Sequence, residues 1–348
     1  MMTKDLFLAQ LERAALVTQG QPVTGAMVRH LAAELKKSEP PWWPKTIKAW
    51  EKRRFVGWTE AWVLFLTAIH YEVLSDADHP LVRYFPSCGG TPEADPAPAL
   101  DRFLAGAPAT FFERLKTGHC RAYAAACAPL WIIPALLFFQ RKRQMPFYLV
   151  EVNAGAGLNL AADLVAPQRG FRSDLLAARI GLDPEPLLLG DIAHRRWLTA
   201  ALPPDNMPAI AEMDRAADFV LDRMSRDASF IQLVPCAARL APRFIAKNVP
   251  PEEDVGLLVL NMGTTAGMGD ADYAAYRSGM GETLRPWGDR ALWAEVESVR
   301  GETYSTTLQS CIFRFKEGAL EQHIATSLDL GAPQVKFSIE DTTRFLAA

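Results

Sequence analysis

The run Glu151-Val-Asn-Ala-Gly-Ala-Gly157 carries the strongest chemical signal in the chain, with an acid followed by small residues and then by Leu158-Asn-Leu160. Small residues let a backbone come within contact distance of a ligand. A helix starting directly behind them offers free N–H groups and the positive end of its dipole. Such a turn suits a nucleoside-bearing cofactor, and the contacts are expected from Glu151, Asn153, Ala154, Gly155, Gly157 and Asn159. A second acid, Asp183 in Ile180-Gly-Leu-Asp183-Pro184, stands where a carboxylate accepts hydrogen bonds from both ribose hydroxyls. Its spacing from Gly157 is a little longer than the roughly twenty residues usual in dinucleotide sites.

The glycine pattern separates two cofactor classes. Nicotinamide-binding turns follow G-x-G-x-x-G, and the third glycine position is Leu160 here. Rossmann-like methyltransferases use an acid followed by x-G-x-G-x-G. The chain fits that pattern with Asn153 at the first glycine, then Gly155 and Gly157. Asparagine is among the non-glycine residues that best tolerate positive φ, so the exchange is mild. The expected cofactor is therefore S-adenosylmethionine. Methyl transfer from a sulfonium is an in-line displacement in which positioning supplies much of the acceleration. A base is needed only when the acceptor must lose a proton. Asn261, in Leu260-Asn-Met-Gly-Thr-Thr265, is nominated to orient an acceptor, because an amide is no base at neutral pH. His79 and Tyr84 are the candidate bases or orienting groups from the first half of the chain. His70, in an otherwise apolar helical pattern, reads as a satisfied core residue.

These side chains need a frame. Phe147-Tyr-Leu-Val-Glu-Val152 reads as a buried parallel strand, with a helix expected from Leu158. Further strands are expected at 178–183, 229–234, 255–261 and 291–297, separated by helices at 192–201, 210–224, 237–246 and 272–284. Alternation of this kind argues for a parallel sheet with helices on both faces. Strands at 310–316, 320–328 and 334–339, with a turn at Glu317-Gly318, give an antiparallel finish. Before residue 146 the pattern is helical: an apolar stripe through Leu6, Phe7, Leu11 and Ala14, a second helix capped by Thr24, a long pattern over 45–74, and further helices at 99–115 and 121–141. The expected division is a helical region over 1–146 and a Rossmann-like α/β domain over 147–348.

At 348 residues with 49% hydrophobic and 22% charged side chains, the chain can bury a sizeable core in two domains. A net charge of -3 gives no pull toward nucleic acid or an anionic membrane. Five scattered cysteines without a C-x-x-C pair indicate neither zinc nor a disulfide framework. The most apolar stretch, 128–139, is broken by Pro129 and Pro134 and is far shorter than the roughly 20 residues of a membrane span. With no leader-like apolar run at the N-terminus, a cytoplasmic location is expected. Trp42, Trp43, Trp50, Trp58 and Trp62 alternate with Lys45, Lys48, Lys52, Arg53 and Arg54. That mixture either stacks single-stranded bases or packs one helix face while the basic side is solvated; helical spacing favours packing.

From about Ala61 onward the chain resembles an uncharacterised bacterial family, domain-of-unknown-function family 2332. The residues that carry the resemblance are Phe65-Leu-Thr-Ala-Ile-His70, Asp78-His-Pro-Leu81, Tyr84-Phe-Pro-Ser87, Leu149 to Leu160, and Gly181-Leu-Asp-Pro-Glu-Pro186. The resemblance implies a methyltransferase-like Rossmann core behind a helical region, with no established activity. The family pattern has glycine where Asn153 stands and serine where Gly155 stands. Where an acid toward adenine would follow the third strand, this chain has Val234-Pro-Cys-Ala237, and Leu330-Gly331 stands where His-Gly is expected. The function expected is an S-adenosylmethionine-dependent methyltransferase of unknown acceptor, a small molecule slightly ahead of a macromolecule. The alternative is a Rossmann-like binding or assembly protein without catalysis.

Overall fold

The computed structural model describes residues 2–55, 59–92, 95–120, 128–167, 169–265, 268–298, 307–316, 319–329 and 334–347. Its N-terminal part is helical: α1 Lys4–Val17, α2 Pro22–Lys37, α3 Trp42–Trp50, α4 Glu60–Ser75, α5 Ala97–Ala105 and α6 Ala109–Thr117. Then come α7 Pro129–Ala135, β1 Phe147–Val152, α8 Ala162–Val165, β2 Leu176–Asp183, α9 Ile192–Ala200, α10 Met207–Arg226 and β3 Gln232–Pro235. The remainder is α11 Ala241–Asn248, β4 Gly256–Met262, α12 Asp270–Leu284, β5 Ala291–Ser298, β6 Thr307–Lys316, β7 Ala319–Asp329, β8 Gln334–Phe337 and α13 Ile339–Ala347. None of these helices is long and apolar enough to cross a membrane, among the described residues.

The chain divides into two compact units, and the division differs from a cut at residue 146. The first unit holds residues 1–122 and 190–214; the second holds 123–189 and 215–348. Residues 129–143 go with the sheet because Phe139 stacks on Phe147 of β1 at 4.5 Å and lies against Gly256 of β4. Residues 190–214 go with the helices because α9 packs on α4 and Trp197 Nε1 donates to His119 O at 2.9 Å.

In the helical unit the tryptophan-rich segment is core. Trp42, Trp43 and Trp50 are buried, Phe7 stacks on Trp43 at 5.5 Å, and Trp50 meets Phe7, Phe55 and Phe65 edge-on. The Trp50 indole donates to Leu115 O at 3.0 Å, so its one polar atom is satisfied inside. Lys45, Lys48 and Lys52 stay exposed. The rings are therefore not available to stack bases. Gly57 and Trp58 lie outside the described residues. The expected 99–115 helix is two, broken at Gly106-Ala107-Pro108, where proline removes an amide the ladder needs.

Thr24 is not the cap of α2. The helix begins at Pro22, and its open amides are met from far along the chain: Asp205 Oδ2 accepts from Val23 N at 2.8 Å and Thr24 N at 3.3 Å. Thr24 Oγ1 donates to Asp205 Oδ1 at 2.7 Å. His70 is a satisfied core histidine. Its Nδ1–H donates to Leu202 O at 3.0 Å, so Nε2 accepts from Ser87 Oγ at 2.8 Å. Burial lowers its pKa to about 4, which keeps the ring neutral.

The second unit is Rossmann-like. One sheet runs β3-β2-β1-β4-β5-β6-β7-β8; the first five strands are parallel and the last three antiparallel. Val150, Val152, Val259 and Trp293 pack under α11 and α12 on one face, while α7 and the π-helical stretch Leu136–Arg143 cover the other through Phe139. The helix expected from Leu158 is a single 3-10 turn followed by the four-residue α8. It is anchored by the buried pair Arg179–Asp163, at 2.6 and 2.8 Å. A C-terminal helix, α13, replaces the end of the expected last strand. Its signal is Ser338-x-x-Asp341: the Asp341 amide donates to Ser338 Oγ at 3.1 Å, as in a capping box.

Because the Trp50 ring is core and Lys48 is solvated, the two substitutions should separate sharply. Trp50→Ala should cost about 3–5 kcal/mol, and Lys48→Ala should stay within about 0.5 kcal/mol, read from urea midpoints at constant slope.

Candidate functional site

Strand order reverses between β1 and β4, and in open α/β sheets ligands enter beyond the carboxyl ends of the strands at that point. The turn after β1 sits there. Asn153, Gly155 and Gly157 have φ of 71°, 58° and 73°, the left-handed region that only glycine, and to a degree asparagine, enters cheaply. A Cβ on Gly157 would also come within 3.1 Å of Leu233 and 3.2 Å of Ile231, so that position is closed to larger residues on two counts.

The amides of this turn are mostly used by the protein itself. Asn153 N and Ala154 N donate to Leu182 O at 2.7 and 3.1 Å, and Gly157 N to Ala154 O at 2.8 Å. Gly155 N donates to Asp183 Oδ2 at 2.9 Å, while Asp183 Oδ1 accepts from Glu185 N at 2.9 Å. Asp183 is fully buried at the end of β2. Its carboxylate thus fastens the turn to β2 and has both oxygens engaged. The bare amides foreseen for Asn153 through Gly157 are therefore taken internally at four positions.

What remains open is Glu151. It is 1% exposed, and Oε1 accepts from Asn159 Nδ2 at 2.9 Å. Oε2 is buried with no hydrogen-bond partner. Loss of solvent pushes this carboxyl up to about 8, against the Asn159 bond that lowers it; the nearby Asp183 charge adds to the rise. The Asn159 amide also lies 3.6 Å from Met262 Sδ on β4, and Asn153 Nδ2 donates to Gly263 O at 3.4 Å. Asn159 thus links Glu151 of β1 to Met262 of β4 around one underused acid.

Asn261, at the end of β4, is fully buried with both ends of its amide held. Tyr276 of α12 donates to Asn261 Oδ1 at 3.1 Å, and Asn261 Nδ2 donates to Glu295 Oε1 at 3.3 Å. Tyr273 donates to the other oxygen, Glu295 Oε2, at 3.1 Å. Burial, and then the Glu297 charge, push Glu295 up to about 7. Glu297 Oε1 accepts from Thr264 N and Thr265 N at 2.6 and 3.0 Å. Reading the sequence as motifs missed Glu295, Glu297, Tyr273 and Tyr276. Two acids on one face of a strand otherwise reading Ala-Leu-Trp-Ala were the available signal.

Glu151, Asn153, Ala154, Gly155, Gly157, Asn159, Asp183 and Asn261 thus gather at one end of one sheet. His79 and Tyr84 belong to the helical unit. His79 is buried, with Nδ1 accepting from Leu81 N at 3.2 Å and its ring 4.7 Å from Phe103. Desolvation lowers its pKa. Tyr84 is buried too, its hydroxyl accepting from the Arg83 guanidinium at 2.5 Å.

Residues 9–173 match the model of a family described as an uncharacterised protein conserved in bacteria, domain of unknown function 2332. The matched span takes in most of the helical unit, β1 and the glycine turn. No curated protein and no solved structure matches the chain.

Proposed function

We propose that the second unit binds S-adenosylmethionine at the β1–β4 switch point and transfers its methyl group to an acceptor. The observation that carries this reading is Glu151, a fully buried carboxyl with one oxygen bonded to Asn159 and the other without a partner, beneath a turn of positive-φ residues. Burying a polar atom unsatisfied costs free energy, so a site that keeps one is shaped for something that satisfies it. S-adenosylmethionine brings an ammonium and a sulfonium, and either is favoured beside an acid that can ionise. The lack of a third glycine at Leu160 speaks against a nicotinamide dinucleotide. Asp183 reaches a ribose only by sharing lone pairs already directed at Gly155 N and Glu185 N.

One observation favours a non-catalytic binding protein instead. The β3 end reads Val234-Pro235-Cys236, and the Cys236 amide turns back to Asp183 O at 2.8 Å, so no acid stands there for an adenine amine. Cofactor binding without methyl transfer to any extract component would select that reading.

Calorimetry and thermal shift test the cofactor directly. S-adenosylmethionine and S-adenosylhomocysteine should bind and raise the melting temperature, by an amount equivalent to about 2.7 kcal/mol at a hundredfold excess over Kd. NAD should give no shift, and flat traces with both adenosyl ligands would reject the proposal. Glu151→Ala should abolish the response.

The pH dependence has a definite sign. Glu151 has a folded pKa of about 8 against 4.5 for an unperturbed glutamate, so between these values the folded chain holds a proton that the unfolded chain has released. Its contribution is fully present below 4.5 and is lost as pH rises through 8. The stability difference between wild type and Glu151→Gln should therefore shift against the wild type from pH 5 to pH 8, in urea midpoints. For a cationic ligand that needs the ionised acid, Kd should rise by about tenfold for each unit that pH drops below 8. That slope should vanish in Glu151→Gln.

A further inference from the structure

In the helical unit α3 and α6 turn their large side chains inward together, Trp43 and Trp50 from one and Phe111 and Leu115 from the other. On the outer side the two helices carry small residues, Ala49 on α3 and Ala109 on α6, and a groove of about 510 Å³ opens there. That volume falls within the roughly 300–1,000 Å³ of small-ligand sites. The surface inside the groove is mostly apolar, supplied by the two alanines, the half-buried Phe112 ring and the hydrocarbon stems of lysines.

The rim is cationic. Lys45, Lys48 and Lys52 follow one another at three and four residues, so they line one side of the groove. All three are exposed, and none has an ion-pair partner among the described residues. The Lys45 ammonium stands 5.6 Å from the centre of the Phe112 ring. Across the groove Lys116 Nζ is neutralised by Glu113, at 3.0 and 3.2 Å. With Glu51 set against the three free lysines, the rim keeps a double positive charge.

We propose that this groove binds a small organic phosphate, an apolar body seated on Ala49, Ala109 and Phe112 with its phosphate held by Lys48 and Lys52. A phosphate monoester carries close to two negative charges at pH 7, which matches the excess on the rim. Ammonium groups are rotatable point charges and suit a tetrahedral oxyanion. Glu51 and Glu113 interrupt the cationic face, so it does not offer the continuous positive surface that a nucleic-acid backbone or an anionic membrane needs. The groove lies wholly within the first unit, and the proposal is independent of the S-adenosylmethionine reading.

The test titrates the full chain by calorimetry with hexyl phosphate, inorganic phosphate, hexanoate and hexylammonium. Hexyl phosphate should saturate one site. Inorganic phosphate, without a tail to bury, should bind at least about tenfold more weakly. Hexanoate, with a single charge, should be several-fold weaker, and hexylammonium should not bind. Raising salt from about 0.05 to 0.5 M should weaken hexyl phosphate several-fold, because exposed charges are screened. The double substitution Lys48→Ala with Lys52→Ala should cost about tenfold in affinity and keep the preference for longer tails. Ala109→Leu fills the groove, so it should erase that preference. These positions are on the outer side of their helices, and urea midpoints should confirm that both variants stay folded. The proposal is overturned if hexyl phosphate shows no saturation by about 10 mM, if inorganic phosphate or hexanoate binds as tightly, or if the lysine double variant keeps wild-type affinity. Lysine-dependent retention on single-stranded DNA or on phosphatidic acid vesicles, without binding of hexyl phosphate, would assign the face to a macromolecule or a membrane and overturn it as well.

Discussion

A buried carboxylate survives in a protein core only when its oxygens are met, because the charge loses far more in leaving water than a neutral group does. Asp183 meets that condition with two main-chain amides, Gly155 N on one oxygen and Glu185 N on the other. The consequence reaches beyond the bond itself. The turn after β1 has three residues at positive φ, a conformation that a free peptide would readily leave. Tied to the end of β2, and tied again by Asn153 and Ala154 to Leu182 O, it has one shape. That shape closes over Glu151 and leaves one carboxyl oxygen unanswered.

The two sides of the sheet end share a design and differ in its use. On the side of Asn159, one acid is isolated among apolar groups and small residues. On the side of α12, two acids share a strand face and are told apart by their donors, main-chain amides for Glu297 and side chains for Glu295. The two raised carboxyls stand in the second halves of their strands, Glu151 one residue before the end of β1 and Glu295 three before the end of β5. Ahead of them, Leu149 and Val150 on β1 and Ala291 to Ala294 on β5 are apolar and buried. On β1 and β5 the acids thus stand toward the end where the parallel sheet opens, while the apolar residues before them supply the burial that holds the strands.

In the helical unit three conspicuous polar side chains find their partners inside the unit. His70 spends both ring nitrogens on the protein, and Trp50 gives its indole N–H to a carbonyl. Asp205 spends its carboxylate on the first turn of α2. These groups explain why histidine, tryptophan and acid residues that look chemically promising in a sequence can be purely architectural. The lysines of α3 stay solvated while the tryptophans of the same helix fill the core, which resolves the basic-aromatic pattern as two faces of one amphipathic element.

The order of strands and helices in the second half, the glycine turn and the burial of β1 were legible in the sequence because they rest on local signals. Hydrophobic runs of four to eight residues, alternation with helical periods, and the conformational needs of Gly155 and Gly157 act over a few neighbours. What lay beyond reach was pairing at long range. No local rule joins Asp205 to the amides of α2, residues 190–214 to the helical unit, or Glu295 to Asn261 across two adjacent strands. The chain by itself determined that an acid precedes a turn of small residues. Only the tertiary structure decided that Asp183 occupies the turn's amide and that Glu151 keeps a free oxygen, because a hydrogen bond forms with whichever partner folding brings within 3 Å, however far away it sits in sequence.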